Sequence, residues 1–287
     1  MLVPTETGLL SMTKKVTTNT EDLHISDYHT LSIQVSLNGL SFCVFDTLAK
    51  KVLLTEKTSF TEAVPPKRIK QSLQAHLAKH GIDGKAFSKV TVIHRNPNFS
   101  LVPKALFDSK KLAHYLKFNT EIDKDQHIVF DDLEHADMVN VYTPFENINN
   151  YLYDLFGDFE SQHSSSVMIS SLLADANRDA AASCYVYFGE QHMDLTIVQQ
   201  KRLLLHNIFE INAPEDATYY LLFALEQLKL DPETTPVKTF GNIEEGDSLY
   251  QLIHTYIEKL GVFVVENPAY LTESESEAID FTVMKTL

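Results

Sequence analysis

The sequence lacks tryptophan, has only two cysteines, and carries 24 basic residues against 39 acidic ones. Cys43 and Cys184 lie within apolar stretches, as small core residues do, which argues against a disulfide framework and favours a reducing cytoplasm. The formal net charge of −15 argues against a general nucleic-acid surface, because neutralising phosphates requires clustered Lys and Arg. Apolar runs such as residues 219–225 are too short to cross a bilayer, and residues 1–15 do not resemble a signal peptide. We therefore expect a cytoplasmic protein without a membrane span.

Several motifs of common enzymes are also absent. The sequence has no GxxxxGK[ST] and no GxGxxG, so P-loop and Rossmann nucleotide binding are unsupported. Residues 164–166 follow His163 and suggest serine catalysis, but no GxSxG elbow accompanies them. The histidines lack the spacing of a zinc site, and the acidic turn at 131–134 lacks the glycine of a calcium loop. We predict neither a metal site nor a catalytic residue.

The clearest positive feature is a pattern of strands that occurs twice. Residues 32–37 and 40–45 alternate apolar and polar positions around Asn38-Gly39, which predicts a β-hairpin. The elements predicted next are a strand at 52–60, a helix from Pro65-Pro66 to Gly81 and a strand at 89–94. The second half repeats this order, with strands at 185–188, 193–199 and 203–209, a helix after Pro214 and a strand at 236–240. The repetition predicts an internal duplication.

This duplicated unit resembles the actin-like ATPase fold, which actin, sugar kinases and Hsp70 chaperones share. The resemblance implies an α/β protein with two lobes of ribonuclease-H-like topology, each a mixed sheet, and a cleft between them. We expect a loose tail over residues 1–25, a first lobe over 26–160 and a second lobe over 161–287. If nucleotide binds, the resemblance assigns its contacts to Gly39, Gly189, Asp194 and Gly241.

The positions that carry the chemistry depart from the family pattern. Tyr187 stands where the family has an acidic residue, and Glu190 and Gln191 stand where it has small residues. In the first hairpin the acidic position falls on Gln34 or Ser36. Carboxylates are needed there because Mg²⁺ and the attacking water require anionic oxygens in fixed places. Gln34 and Ser36 also argue against a ribonuclease-H-type nuclease, which needs clustered carboxylates on this strand.

Two aromatic features allow two interpretations each. Tyr187 either fills the space of a lost nucleotide or stacks on a ligand, and we favour filling. The helix face formed by Tyr151, Leu155 and Phe156 is interpreted as core, with a docking surface as the alternative.

Residues 100–108, SLVPKALFD, together with the paired hairpins, resemble a bacterial family without an assigned activity, domain of unknown function 3822 from Bacteroidetes. Because the nucleotide motifs are eroded, we predict a non-catalytic binding or scaffold protein, without a cofactor and with an unidentified protein partner. The alternative is a divergent ATP-binding protein or kinase-like ATPase that binds ATP and Mg²⁺ in the inter-lobe cleft.

Overall fold

The computed structural model describes residues 12–14, 27–60, 62–84, 87–118, 120, 122, 126–176, 181–263 and 279–287. These residues form two compact units, each discontinuous in sequence. Unit 1 takes its residues from Met1–His94, Phe145–Ser161 and Asn267–Leu287, and unit 2 from Arg95–Pro144 and Gln162–Glu266. Within the described part of the chain, no helix has both the length and the hydropathy needed to span a bilayer.

Unit 1 is built on a six-stranded mixed sheet. In spatial order its strands are β1 (Met12–Lys14), β4 (Lys51–Ser59), β3 (Gly39–Asp46), β2 (His29–Ser36), β5 (Lys89–His94) and β9 (Glu160–His163). Only the first two residues of β9 belong to unit 1. β2 pairs antiparallel with β3 and parallel with β5, so the hairpin predicted at Asn38-Gly39 is confirmed. Leu31, Ile33 and Val35 alternate along β2 into an apolar core shared with helices α1 (Pro66–Lys79) and α3 (Glu146–Phe156).

The aromatic face of α3 belongs to this core. Tyr151, Leu155 and Phe156 pack against the buried cluster of unit 1. The interpretation of this face as core is therefore confirmed.

Two polar residues of β2 contact the C-terminal segment 281–287, which contains the short helix α7 (Phe281–Met284). The Ser32 and Thr286 hydroxyls lie 2.6 Å apart, and the side-chain oxygen of Gln34 accepts a hydrogen bond from the buried Thr282 hydroxyl. These bonds satisfy polar groups that burial would otherwise penalise. Ser32 and Gln34 therefore have a structural role in these contacts.

Unit 2 contains a five-stranded mixed sheet and a smaller three-stranded one. The larger sheet has the order β12 (Arg202–Glu210), β11 (His192–Gln199), β10 (Ser183–Phe188), β13 (Val237–Gly241) and β14 (Leu260–Val262). Helices α5 (Pro214–Gln227) and α6 (Ser248–His254) share its apolar core. The smaller sheet has the order β6 (Phe99–Pro103), β8 (Met138–Tyr142) and β7 (Val129–Leu133), and helices α2 (Leu112–Leu116) and α4 (Ser164–Asp175) complete the unit.

The two larger sheets have the same topology. The order β4-β3-β2-β5 in unit 1 corresponds to β12-β11-β10-β13 in unit 2, with the same strand directions. The predicted α/β fold with two mixed sheets is confirmed.

The units differ in extent from the lobes expected over 26–160 and 161–287. Residues 95–144 group with unit 2 and the C-terminal helix groups with unit 1. Of the expected tail, residues 1–25, the structure describes only Met12–Lys14, which pairs with β4.

Candidate functional site

The second hairpin, β10–β11, closes its own glycine turn. The Gly189 amide donates to the His192 carbonyl at 2.9 Å. A Cβ added at Gly189 would come within 2.1 Å of the His192 imidazole ring. The amide and the space that the resemblance assigns to a phosphate are therefore taken by His192.

Asp194 lies on β11 next to this turn and is paired with Arg95. The Asp194 carboxylate is 1% exposed and accepts a hydrogen bond of 2.8 Å from Nη1 of Arg95, which is 5% exposed. The same Nη1 lies 2.8 Å from Nε2 of His192. Because a guanidinium can only donate, Nε2 accepts, and the His192 proton resides on Nδ1. The guanidinium thus compensates the carboxylate in a buried, charge-assisted hydrogen bond.

Tyr187 contacts both Arg95 and Gly241. The Arg95 guanidinium carbon lies 5.0 Å from the centre of the Tyr187 ring, and the ring of Phe240 lies 5.4 Å from it. Gly241 has φ +88°, and an added Cβ would lie 2.3 Å from the Phe188 carbonyl oxygen and 2.8 Å from the Tyr187 ring. Glycine is required here by the backbone conformation and by this close approach.

The structure thus brings together three of the four predicted site residues. Gly189, Asp194 and Gly241 surround Arg95, Tyr187 and His192 in unit 2, and these six residues are called the arginine cluster. Asp194 and Tyr187 face each other across β10 and β11.

Gly39, the fourth, lies in unit 1. A Cβ there would meet the Thr58 carbonyl oxygen at 2.4 Å, so close packing of β4 explains this glycine. The carbonyls of the turn, Leu37 and Asn38, accept hydrogen bonds from Val64 and Phe60 at 2.9 and 2.8 Å.

Sequence reasoning missed Arg95, which lies 99 positions before Asp194. A signal was present. When the two halves are superposed by pattern, residues 94–96 fall near 240–242, so Arg95 corresponds to Gly241. Arg95 is a charged residue that directly follows strand β5, and this position could have suggested it as the ion-pair partner of Asp194 in the second hairpin.

A second cluster of polar side chains surrounds the start of α4. The Asp131 carboxylate accepts hydrogen bonds from the His163 amide at 2.8 Å and the Tyr142 hydroxyl at 3.2 Å. Burial raises the pKa of Asp131 to about 6, although these bonds act in the opposite direction.

The ring nitrogens of His163 bond the backbone. Nδ1 accepts from the Ser165 amide at 3.1 Å, and Nε2 lies 3.0 Å from the Asn96 carbonyl, to which it donates. This geometry fixes a neutral imidazole that caps the helix. It gives no support to serine catalysis at 164–166. Among the residues that the structure describes, no three His, Cys, Asp or Glu side chains come together in a way that could hold a metal ion.

The paired hairpin sheets define the class of protein as one with the actin-like ATPase fold. A Bacteroides thetaiotaomicron protein with this fold and unknown function is similar at 17% identity, covering 85% of this chain and 94% of its own, with a TM-score of 0.76. The PilM-PilN type IV pilus biogenesis complex is similar at 11% identity, covering 91% and 98%, with a TM-score of 0.58.

The chain belongs to the family described as "Protein of unknown function (DUF3822)", whose model matches residues 18–260. Among curated protein sequences, none is significantly similar to it. The likeness to the solved structures shows the fold alone.

Proposed function

We propose that this protein is a non-catalytic binding or scaffold protein, built on a duplicated actin-like framework that no longer hydrolyses ATP. The observation that carries the proposal is the buried ion pair between Arg95 and Asp194. Asp194 is the one carboxylate that the resemblance offers for a metal, and the protein compensates it internally.

The residues of the arginine cluster do not fit Mg-nucleotide as they stand. For Asp194 to hold Mg²⁺, the metal must displace Arg95 from the carboxylate, and the buried guanidinium then loses its counter-charge. His192 must also leave the space beside Gly189, and Tyr187 the space beside Gly241. The need for these rearrangements supports the proposal that the protein acts through its surfaces and not by binding Mg-nucleotide.

A protein partner is supported by one relative with this fold, which is found in the PilM-PilN type IV pilus biogenesis complex. We propose that this chain likewise acts by holding another protein.

The test is phosphate release from Mg-ATP by the purified protein, compared with an Asp194→Asn variant as the matched control. The expected rate is that of buffer alone for both proteins. A rate above background that falls in Asp194→Asn would overturn the proposal and favour the divergent ATPase.

A further inference from the structure

Helix α5 carries exposed aromatic side chains on its outer face. Tyr219 is 62% exposed and Phe223 is 47% exposed. Their ring centres lie 6.0 Å apart with planes 17° from parallel. Tyr219 also contacts Tyr220 at 5.5 Å, and Tyr220 stacks on Phe209 of β12 at 4.4 Å. These four residues form one continuous row of rings, called the aromatic row, which is anchored at the sheet and open to solvent at its far end.

The ionised groups of helix α5 itself are all acidic. Helix α5 contains Glu215, Asp216 and Glu226 but no Lys or Arg, and Glu210 follows Phe209 at the end of β12. Asp216 accepts hydrogen bonds from the amides of residues 212 and 213, whereas Glu215 and Glu226 are exposed. Residues 215, 219, 223 and 226 are spaced by one helical turn each, so they share one face. Two exposed rings therefore lie between two carboxylates.

The corresponding helix of unit 1 shows that the fold does not require this surface. Helix α1 also has 14 residues and also begins with a proline, and it follows the equivalent strand. It contains no Phe, Tyr or Trp, and its exposed residues include Lys67, Arg68 and Lys79. The same position in the two units thus carries opposite charge, and of these two helices only α5 exposes aromatic rings.

We propose that the outer face of α5 is a docking surface for a partner protein segment that presents arginine side chains. A guanidinium stacks on aromatic faces and pairs with carboxylates, and this face offers both within one helical turn of each other. Exposed aromatic side chains on a rigid element are the residue type that dominates interface energies. The inference rests on the proposed binding role, for which it names a partner chemistry.

Charge also favours an arginine-bearing partner over the other possible occupants of this face. A second copy of the chain that paired through the same α5 face would bring like-charged carboxylates together, which is unfavourable. Phosphates of nucleic acids or anionic lipids would meet the same repulsion. A basic segment is attracted instead, and the net charge of −15 adds to that attraction over distance.

The probe is a fluorescein-labelled helical peptide with arginine and leucine on one face, and its twin carries glutamate in place of arginine. Fluorescence anisotropy with the full chain measures both affinities. We expect saturable binding of the arginine peptide only. The double variant Tyr219→Ala/Phe223→Ala should weaken it at least tenfold, although the charge of the protein is unchanged. Tyr153→Ala, which removes a ring 59% exposed in unit 1, is the matched control and should bind like the wild type.

Three results would overturn the inference. The inference is wrong if binding of the arginine peptide does not saturate, if the double variant binds it as tightly as the wild type, or if both peptides bind equally. A concentration-dependent mass in sedimentation equilibrium that is lost in the double variant would instead assign the face to a second copy. None of these readouts depends on ATP, so failure here is distinguishable from failure of the proposed function, which the hydrolysis assay measures.

Discussion

Replacing Arg95 by methionine should strongly destabilise the protein. The change leaves the Asp194 carboxylate, 1% exposed, without its guanidinium partner. Removing one member of a buried ion pair costs about 3–5 kcal/mol, because a buried charge remains uncompensated. Replacing both residues, as Arg95→Met/Asp194→Leu, removes both charges and should recover most of that loss. The expected coupling energy is at least about 2 kcal/mol.

Urea unfolding followed by circular dichroism measures this double-mutant cycle on the wild type, the two single variants and the double variant. The slopes with urea should be unchanged, so that shifts in midpoint report stability. Tyr153→Ala, at an exposed position, serves as the control and should change the free energy of unfolding by no more than about 0.5 kcal/mol. If Arg95→Met costs less than about 1 kcal/mol, or if the two single effects simply add, the ion pair does not hold the arginine cluster together.

Three further predictions concern glycine and pH. Gly241→Ala should lower the free energy of unfolding by more than about 2 kcal/mol, because φ is +88° and the new methyl would meet a carbonyl oxygen at 2.3 Å. A urea unfolding midpoint equal to that of the wild type would contradict this. Gly189→Ala should lower the free energy of unfolding less in a His192→Ala background than in the wild type, because the new methyl clashes with the imidazole ring. Equal losses in the two backgrounds, measured in the same assay, would show that the ring is not the obstacle. Because the folded-state pKa of Asp131 is raised to about 6 from 3.8, its contribution to stability is present at low pH and is lost as the pH rises to about 6. The free energy of unfolding of Asp131→Asn, relative to that of the wild type, should therefore rise by about 2–3 kcal/mol as the pH increases from 4 to 7. A difference in unfolding free energy that does not change with pH would refute the raised pKa.

Local patterns in the sequence were sufficient to predict the strands, the hairpins and the helices that follow them. The alternation around Asn38-Gly39 and the proline-initiated helices depend on neighbours in sequence, where propensity and periodicity act. The aromatic face of α3 could be assigned to the core for the same reason, since its spacing alone places those residues on one side of the helix.

Contacts between distant parts of the chain could not be read in the same way. Arg95 and Asp194 are 99 positions apart, and nothing local marks them as partners. Thr282 and Gln34 are 248 positions apart, so the role of the C-terminal helix in covering β2 was equally hidden. For Gly39 the resemblance implied a contact if nucleotide binds, whereas the packing of β4 against it gives a sufficient structural reason for the glycine.

The most direct test of the central claim is a thermal-shift titration with ATP and ADP, each with and without Mg²⁺. The wild type is compared with Asp194→Ala and Gly189→Glu. A ligand at a hundredfold its dissociation constant adds about 2.7 kcal/mol to stability, which such a titration detects. We predict no saturable shift with any nucleotide in any of the three proteins. A saturable, Mg²⁺-dependent rise in the melting temperature of the wild type that either substitution abolishes would contradict the account.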